Sequence, residues 1–286
     1  MLNVRENDLE LADGRRLHCY DTEPVSGAVG RLPVFWSHGT PNTGEPPEPL
    51  FEVAAELGIR LISYDRPGYG PSTRVPGRSV GSAAHAVAAI ADALGIGEFA
   101  LLGHSGGGPH VLGVAARLPE RVRAVASISG IAPYAAADEG LDYFAGMTPT
   151  GVAELSAAAE GRAALERLLP KSEYDPEMFT PKDHEALEGS WAWLAGVANK
   201  ALEGGGVGGM VDDDVAYVTP WGFELSEVRA RTLLLHGDHD RVVPVAHAHW
   251  LAAHLPAAHL RVVPGDGHVS VLVTAGRQAL EWLAAA

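Results

Sequence analysis

A chain of 286 residues, 47% hydrophobic and 20% charged, has apolar side chains enough for a large core and a composition that excludes wholesale disorder. Its formal net charge is -15, with Lys171, Lys182 and Lys200 its only lysines, so phosphate backbones and anionic membrane surfaces are repelled. A small-molecule partner is expected instead, with no nucleic-acid or membrane partner. Cys19 stands alone, which excludes an intrachain disulfide and a Cys-based zinc site.

Residues 1–8 hold no basic segment followed by an apolar run. Asp92, Glu98 and His104 interrupt the apolar stretches well before the roughly 18 residues that span a bilayer. A cytoplasmic protein is the expectation.

In chain order, residues 8–21 read as a hairpin. Leu9 and Leu11 alternate with polar neighbours, Asp13-Gly14 supplies the turn, and Leu17 and Cys19 resume the period of two. Short apolar runs at 32–36, 60–64, 99–102 and 122–128 read as strands buried on both faces. A helix is predicted over 81–94, where Ala84, Val87, Ala88, Ile90, Ala91 and Leu94 form an apolar stripe that stops at Gly95. A second is predicted over 106–118, ending before Pro119. The alternation resumes with a strand at 231–236, a helix at 245–255, a strand at 259–263 and a helix at 269–283.

Strand, helix, strand in repetition predicts an α/β fold with a mostly parallel eight-stranded sheet and helices on both faces. Residues 134–228 break the rhythm. They show helical patterning at 152–169 and 182–202, then a flexible run at 204–209, and the interval is too long for a simple connection. It is expected to be an inserted helical cap, with residues 1–133 and 229–286 as the core. The cap shows apolar and aromatic residues and no charged cluster aimed at a recognisable headgroup.

The chemistry is concentrated in Gly103-His104-Ser105-Gly106-Gly107. With 34 glycines in the chain, Gly-x-Ser-x-Gly has a chance expectation of about 0.2, so placement decides its meaning. Here it follows the strand at 99–102 and opens a helix, the setting of a nucleophile elbow on Ser105. A serine hydroxyl needs an adjacent base oriented by a carboxylate. His268, in Gly265-Asp266-Gly267-His268 after the last strand, is the candidate base. Asp238 and Asp240, in the loop after the strand at 231–236, are the candidate acids.

These motifs in this order resemble the α/β-hydrolase family, in its esterase-like serine hydrolase branch. The resemblance covers nearly the whole core. In that family the acid lies in a G-x-x-D-x-x-x-P segment, here Gly237 to Pro244, which selects Asp240 over Asp238. The segment His38-Gly39-Thr40-Pro41 implies an oxyanion hole from the backbone N–H groups of Thr40 and Gly106, with His38 bracing the loop. Asp65-Arg66-Pro67-Gly68-Tyr69-Gly70 resembles the family loop that braces the nucleophile region. Trp191 and Trp193, with Leu187 and Leu194, read equally as an acyl pocket or as packed core.

The expected activity is hydrolysis of a small, mostly apolar carboxylic ester or lactone through an acyl-enzyme. Same-triad alternatives are a cofactor-free perhydrolase or haloperoxidase and a C–C bond hydrolase acting on a diketone. A small-ligand receptor on the same fold is the alternative of a different class. Serine at 105 disfavours the aspartate-nucleophile chemistry of epoxide hydrolases and dehalogenases. Val269 after His268 disfavours the hydroxynitrile lyases, which carry lysine there. No H-E-x-x-H or Cys/His spacing occurs, and His247 and His249 diverge on a helix, so neither metal nor cofactor is expected.

Overall fold

Alternate residues of a strand face opposite sides, and the sequence makes both sides apolar. Strand β3 (Leu32–Ser37) turns Phe35 to one face and Val34 and Trp36 to the other. Strand β5 (Phe99–His104) does the same with Leu101 against Ala100 and Leu102. A sheet built from such strands must be covered on both sides.

The computed structural model describes residues 3–22, 31–205 and 207–286. Among them the strands form one eight-stranded sheet, β1-β2-β4-β3-β5-β6-β7-β8. The remaining strands are β1 (Arg5–Glu10), β2 (Arg16–Asp21), β4 (Ile59–Tyr64), β6 (Val122–Ile128), β7 (Arg231–Gly237) and β8 (Ala258–Val263). The β1–β2 hairpin is antiparallel, with Leu9 opposite Leu17, and β2 joins β4 antiparallel. From β4 to β8 every pairing is parallel.

Helices α2 (Ala83–Ala93), α3 (Gly107–Arg117) and α9 (Ala246–His254) pack on the Phe35 and Leu101 face. Helices α1 (Phe51–Glu56) and α10 (Ser270–Ala284) pack on the other. The helix after β3 and the helix after β5 therefore lie on opposite faces of two adjacent strands. That arrangement opens a crevice at the carboxyl ends of β3 and β5, where open α/β sheets bind their ligands.

Between β6 and β7 the chain forms α4 (Pro149–Glu160), α5 (Arg162–Leu168), α6 (Pro181–Glu188), α7 (Ala192–Gly205) and α8 (Gly208–Val218). Three expectations need correcting. The helix predicted over 152–169 is two helices, because Gly161 sits at φ 121, outside helical space. The helix predicted over 182–202 is also two, separated at residues 189–191. The run read as flexible holds the end of α7 at Gly205 and the start of α8 at Gly208 and Gly209, with Gly206 outside the described residues. Trp191 and Leu194 belong to the packed cluster under α10, which favours the core reading of that stripe. No helix among the described residues is long and apolar enough to cross a membrane.

Candidate active site

Ser105 follows β5 directly and adopts φ 54, a left-handed conformation costly for a side chain with a Cβ. Its N–H donates to Ile128 O at 2.8 Å and its carbonyl accepts from Gly108 N at 2.8 Å, so the turn is held from both sides. The flanking glycines are required by contact: a Cβ on Gly103 would collide with the Gly107 carbonyl, and one on Gly107 with the Ser37 carbonyl. Gly106 is the N-cap of α3, so its N–H lies outside that helix's own hydrogen-bond ladder. The loop after β3 lies alongside, so close that a Cβ placed on Gly39 would stand 3.4 Å from Ser105 Cβ.

At the ends of β7 and β8 the structure brings Asp240 to His268, with Nδ1 and Oδ2 2.8 Å apart. The other Asp240 oxygen accepts the N–H groups of Val242 and Val243, both at 2.9 Å. His236 Nε2 adds a contact to Oδ2 at 3.3 Å while donating to Val243 O at 2.6 Å. Burial works to raise the Asp240 pKa, but His268 and His236 overcome it and hold the carboxyl far below its usual range. Burial likewise works to lower the His268 pKa, and Asp240 reverses this, leaving the imidazole above its ordinary value. Asp238 is placed elsewhere: its Oδ1 accepts the Gly265 N–H at 2.6 Å at the loop surface.

His104, next to Ser105, ties the two regions together through Nε2 to the His268 carbonyl at 2.9 Å. Burial and the nearby His268 push its pKa down to about 3, so it is neutral at pH 7. His38 braces its loop, donating from Nδ1 to Gly39 O at 2.8 Å and accepting the Arg66 N–H on Nε2 at 3.1 Å. Burial, with Arg66 beside it, keeps this ring neutral too.

The insertion, in which no charged cluster aimed at a headgroup was expected, holds a buried acidic cluster turned to arginines of the protein itself. Asp212, Asp213 and Asp214 on α8 are all buried. Asp213 accepts from Tyr69 OH at 2.8 Å and Thr40 Oγ1 at 2.9 Å, and pairs with Arg66 and Arg78. Arg66 in turn bonds the carbonyls of His38 and Gly39, fixing the loop that carries Thr40. The Tyr217 hydroxyl lies 2.7 Å from Thr40 Oγ1 and donates to Gly106 O at 3.1 Å. Asp183 on α6 accepts the backbone N–H groups of His268, Val269 and Ser270. A signal for Asp183 was present in Thr180-Pro181-Lys182-Asp183, which forms a capping box. Nothing local in the sequence pointed to Arg66, Arg78, His110 and Asp213 as one cluster.

A mostly parallel sheet with a strained serine at its carboxyl edge, and an Asp–His pair after the strands two and three places along, defines a hydrolase of the α/β type. The chain belongs to the α/β hydrolase family: the family described as alpha/beta hydrolase fold matches residues 33–275. It is 32% identical over 222 residues, 74% of this chain and 71% of the relative, to a 2-hydroxy-6-oxo-6-phenylhexa-2,4-dienoate hydrolase of Burkholderia cepacia. It is 25% identical over 262 residues, 87% of this chain and 89% of the relative, to a non-heme chloroperoxidase of Burkholderia pyrrocinia. A bromoperoxidase structure from Bacillus anthracis shares the fold with a TM-score of 0.69 at 21% identity, covering 98% of each chain.

Proposed function

We propose that the protein is a serine hydrolase that cleaves a small, mostly apolar carboxylic ester or lactone through an acyl-enzyme on Ser105. The observation that carries this reading is the 2.8 Å contact of His268 with an ionised, fully hydrogen-bonded Asp240, on loops adjoining a serine at φ 54. Asp240 fixes the proton on Nδ1, which leaves Nε2 as the base. Ser105 Oγ attacks the substrate carbonyl carbon as its proton passes to His268 Nε2, and the carbonyl electron pair moves onto oxygen. The backbone N–H groups of Thr40 and Gly106 hold that oxyanion. Collapse breaks the ester C–O bond, and His268 returns the proton to the leaving oxygen. Water then attacks the acyl-enzyme with His268 again as base, releasing the acid and restoring Ser105. Residues 134–228 act as the lid over this core.

A second reading, C–C bond hydrolysis of a diketone by the same residues, is favoured by the identity to the Burkholderia cepacia hydrolase. A panel of activated esters, lactones and diketones separates the two by kcat/KM. Steady product release from any of them distinguishes an enzyme from a receptor, which would give one slow burst. Ser105→Ala is expected to lower kcat at least about 10³-fold on the best substrate. Full turnover by that variant would remove Ser105 from the mechanism.

A further inference from the structure

Buried positive charge exceeds buried negative charge at one place outside the triad. Arg66 and Arg78 share the single carboxylate of Asp213, with Nη2 atoms at 2.7 and 2.6 Å from its two oxygens. All three side chains are buried. Burial and the neighbouring Arg66 push the pKa of His110, also on Asp213, down to about 4, so it adds no charge at pH 7. Burial, with Glu154 and Asp213 close by, pushes the Asp214 carboxyl up toward its neutral form. Two guanidinium ions therefore face one carboxylate in a setting of low dielectric, where an uncompensated charge is expensive.

The two arginines differ in how their donors are used. Arg66 gives its N–H groups to Asp213, to the carbonyls of His38 and Gly39 and to Thr40 Oγ1. Arg78, 7% exposed, gives Nη2 to Asp213 and, at 3.5 Å, to the Gly209 carbonyl, and its Nε has no hydrogen-bond partner among the described residues. Both line a cavity of about 170 Å³ that lies among the β1–β2 hairpin, α2 and the loop after β4. Leu17, Tyr64, Val75, Ala83 and Ala86 supply apolar wall. The other charged group on the wall is Arg15, itself paired with Asp13 at 2.7 Å, and among the described residues no carboxylate lines the cavity. Ser105, Asp240, His268, Thr40 and Gly106 are not among its lining residues. On a chain of net charge -15, a hollow whose ionised wall groups are all cationic selects for anions.

We propose that this cavity binds a small organic monocarboxylate, with the carboxylate docked on Arg78 and an apolar body against Leu17, Tyr64 and Ala86. The volume fits a body about the size of a benzene ring, which fills a cavity of roughly 150 Å³. A guanidinium with free N–H capacity forms charge-assisted bonds to a carboxylate. The apolar wall of Leu17, Val75, Ala83 and Ala86 offers nothing to inorganic phosphate and buries the body of an organic acid, so a monocarboxylate with an apolar body is the class selected. The site is separate from the triad, and its existence does not depend on which bond the enzyme cleaves.

The test is isothermal titration calorimetry of the full-length protein with benzoate up to about 10 mM. The expected result is saturable one-site binding, with benzamide, equal in shape and uncharged, weaker by at least about tenfold. Ala86→Leu, which fills the cavity and leaves the arginines in place, is expected to weaken benzoate by at least about tenfold. Circular dichroism establishes that this variant is folded, and Ala83→Leu is a second filling variant. Wild-type protein phosphonylated at Ser105 by a fluorophosphonate, checked by mass spectrometry, is expected to bind benzoate unchanged. No saturable heat, equal binding of benzamide, indifference to both filling variants, or loss of binding on phosphonylation would each overturn the proposal. Failure to form the adduct counts against the Ser105 mechanism, and the titrations with unmodified protein still decide the site.

Discussion

Asp183 on α6 is hydrogen-bonded to the backbone of His268, 85 residues further along the chain, with Oδ2 3.2 Å from its nitrogen. Its other oxygen accepts Val269 N at 2.8 Å, Ser270 N at 2.7 Å and Ser270 Oγ at 2.8 Å. These N–H groups open α10, where unpaired donors and the helix dipole converge on a buried anion. Thr180 completes the shell through its N–H and hydroxyl. Burial works to raise the Asp183 pKa, and the hydrogen bonds from Ser270, Thr180 and Val269 win and lower it. One carboxylate thus fastens the insertion to the loop that holds the histidine.

Asp183→Ala leaves several buried N–H groups without an acceptor, each worth about 1–3 kcal/mol. A loss of stability of at least about 3 kcal/mol is expected by urea denaturation. Asp183→Asn keeps the volume and removes the charge, which separates positioning from packing. The Asp183 charge favours protonated His268, so Asn should lower the His268 pKa and move the acid limb of kcat/KM to lower pH. A limb that stays in place would mean that Asp183 holds the loop without acting on the imidazole. The Asp183 pKa is depressed on folding, so its stabilisation is present above the ordinary carboxyl value of 3.8. It is lost as the pH falls through the folded value, so in acid the stability of wild type should approach that of Asp183→Asn.

Asp238 and Asp240 are two residues apart and are expected to respond differently. Asp240→Asn places an amide against Nδ1 and permits the wrong imidazole tautomer, so kcat should fall about 10⁴-fold. Asp238→Asn keeps an oxygen for Gly265 N at a partly exposed position, and kcat should stay within about twofold. In the wild type the His268 pKa is raised, so the acid limb of the profile should lie above the ordinary histidine value of 6.5. The stability from this pairing is fully present below that ordinary value and is lost as pH rises through the folded pKa. For Asp240, whose pKa is depressed, it is present above 3.8 and lost only in strong acid.

The parts of this molecule that were legible in the sequence are those whose cause is local. The strand at 99–104, the glycines around Ser105 and helix α3 follow one another along the chain, so pattern and turn chemistry suffice. The residues alone left Asp238 and Asp240 open, and only the resemblance to the family's G-x-x-D-x-x-x-P segment pointed to Asp240. Helix α8 was illegible because its cause is distant: it opens on Gly208 and Gly209 and carries three aspartates, all poor helix formers. What sustains it is burial against Arg66, Arg74, Arg78 and Arg162, residues up to 147 positions away. A polar run looks like a loop until its counterions are known. Gly161 failed in the opposite sense, since a helix tolerates one glycine and the sequence alone does not reveal φ 121.

Asp213 is the keystone of that burial, and Asp213→Asn tests it. Removing the charge leaves Arg66 and Arg78 buried without a counterion, for which about 3–5 kcal/mol is the usual cost. The expected outcome is a loss of unfolding free energy of that size, read by urea denaturation. Asp92→Asn, which breaks the exposed pair with Arg121, should change stability by less than about 1 kcal/mol. Equal effects of the two substitutions would show that the Asp213 cluster is not stabilised as its burial implies.

The Tyr217 hydroxyl and Thr40 Oγ1 crowd Gly106 so closely that a Cβ there would collide with both. Gly106 also supplies one of the two proposed oxyanion donors, so packing and catalysis meet at the same backbone atoms. Gly106→Ala should therefore displace the N–H and cost kcat about 10²-fold or more, together with a loss of stability from overpacking of about 1–3 kcal/mol. Tyr217→Phe removes the oxygen nearest the added methyl while forfeiting its bond to the Gly106 carbonyl. In a double-mutant cycle Gly106→Ala should cost less when Tyr217→Phe is already present, with a coupling of about 0.5–3 kcal/mol in stability. Activity should recover less than stability, because Thr40 Oγ1 still meets the methyl on its other side. If the two substitutions are additive in stability, the strain of Gly106→Ala does not come from Tyr217, and the α8 insertion does not set the shape of the oxyanion hole.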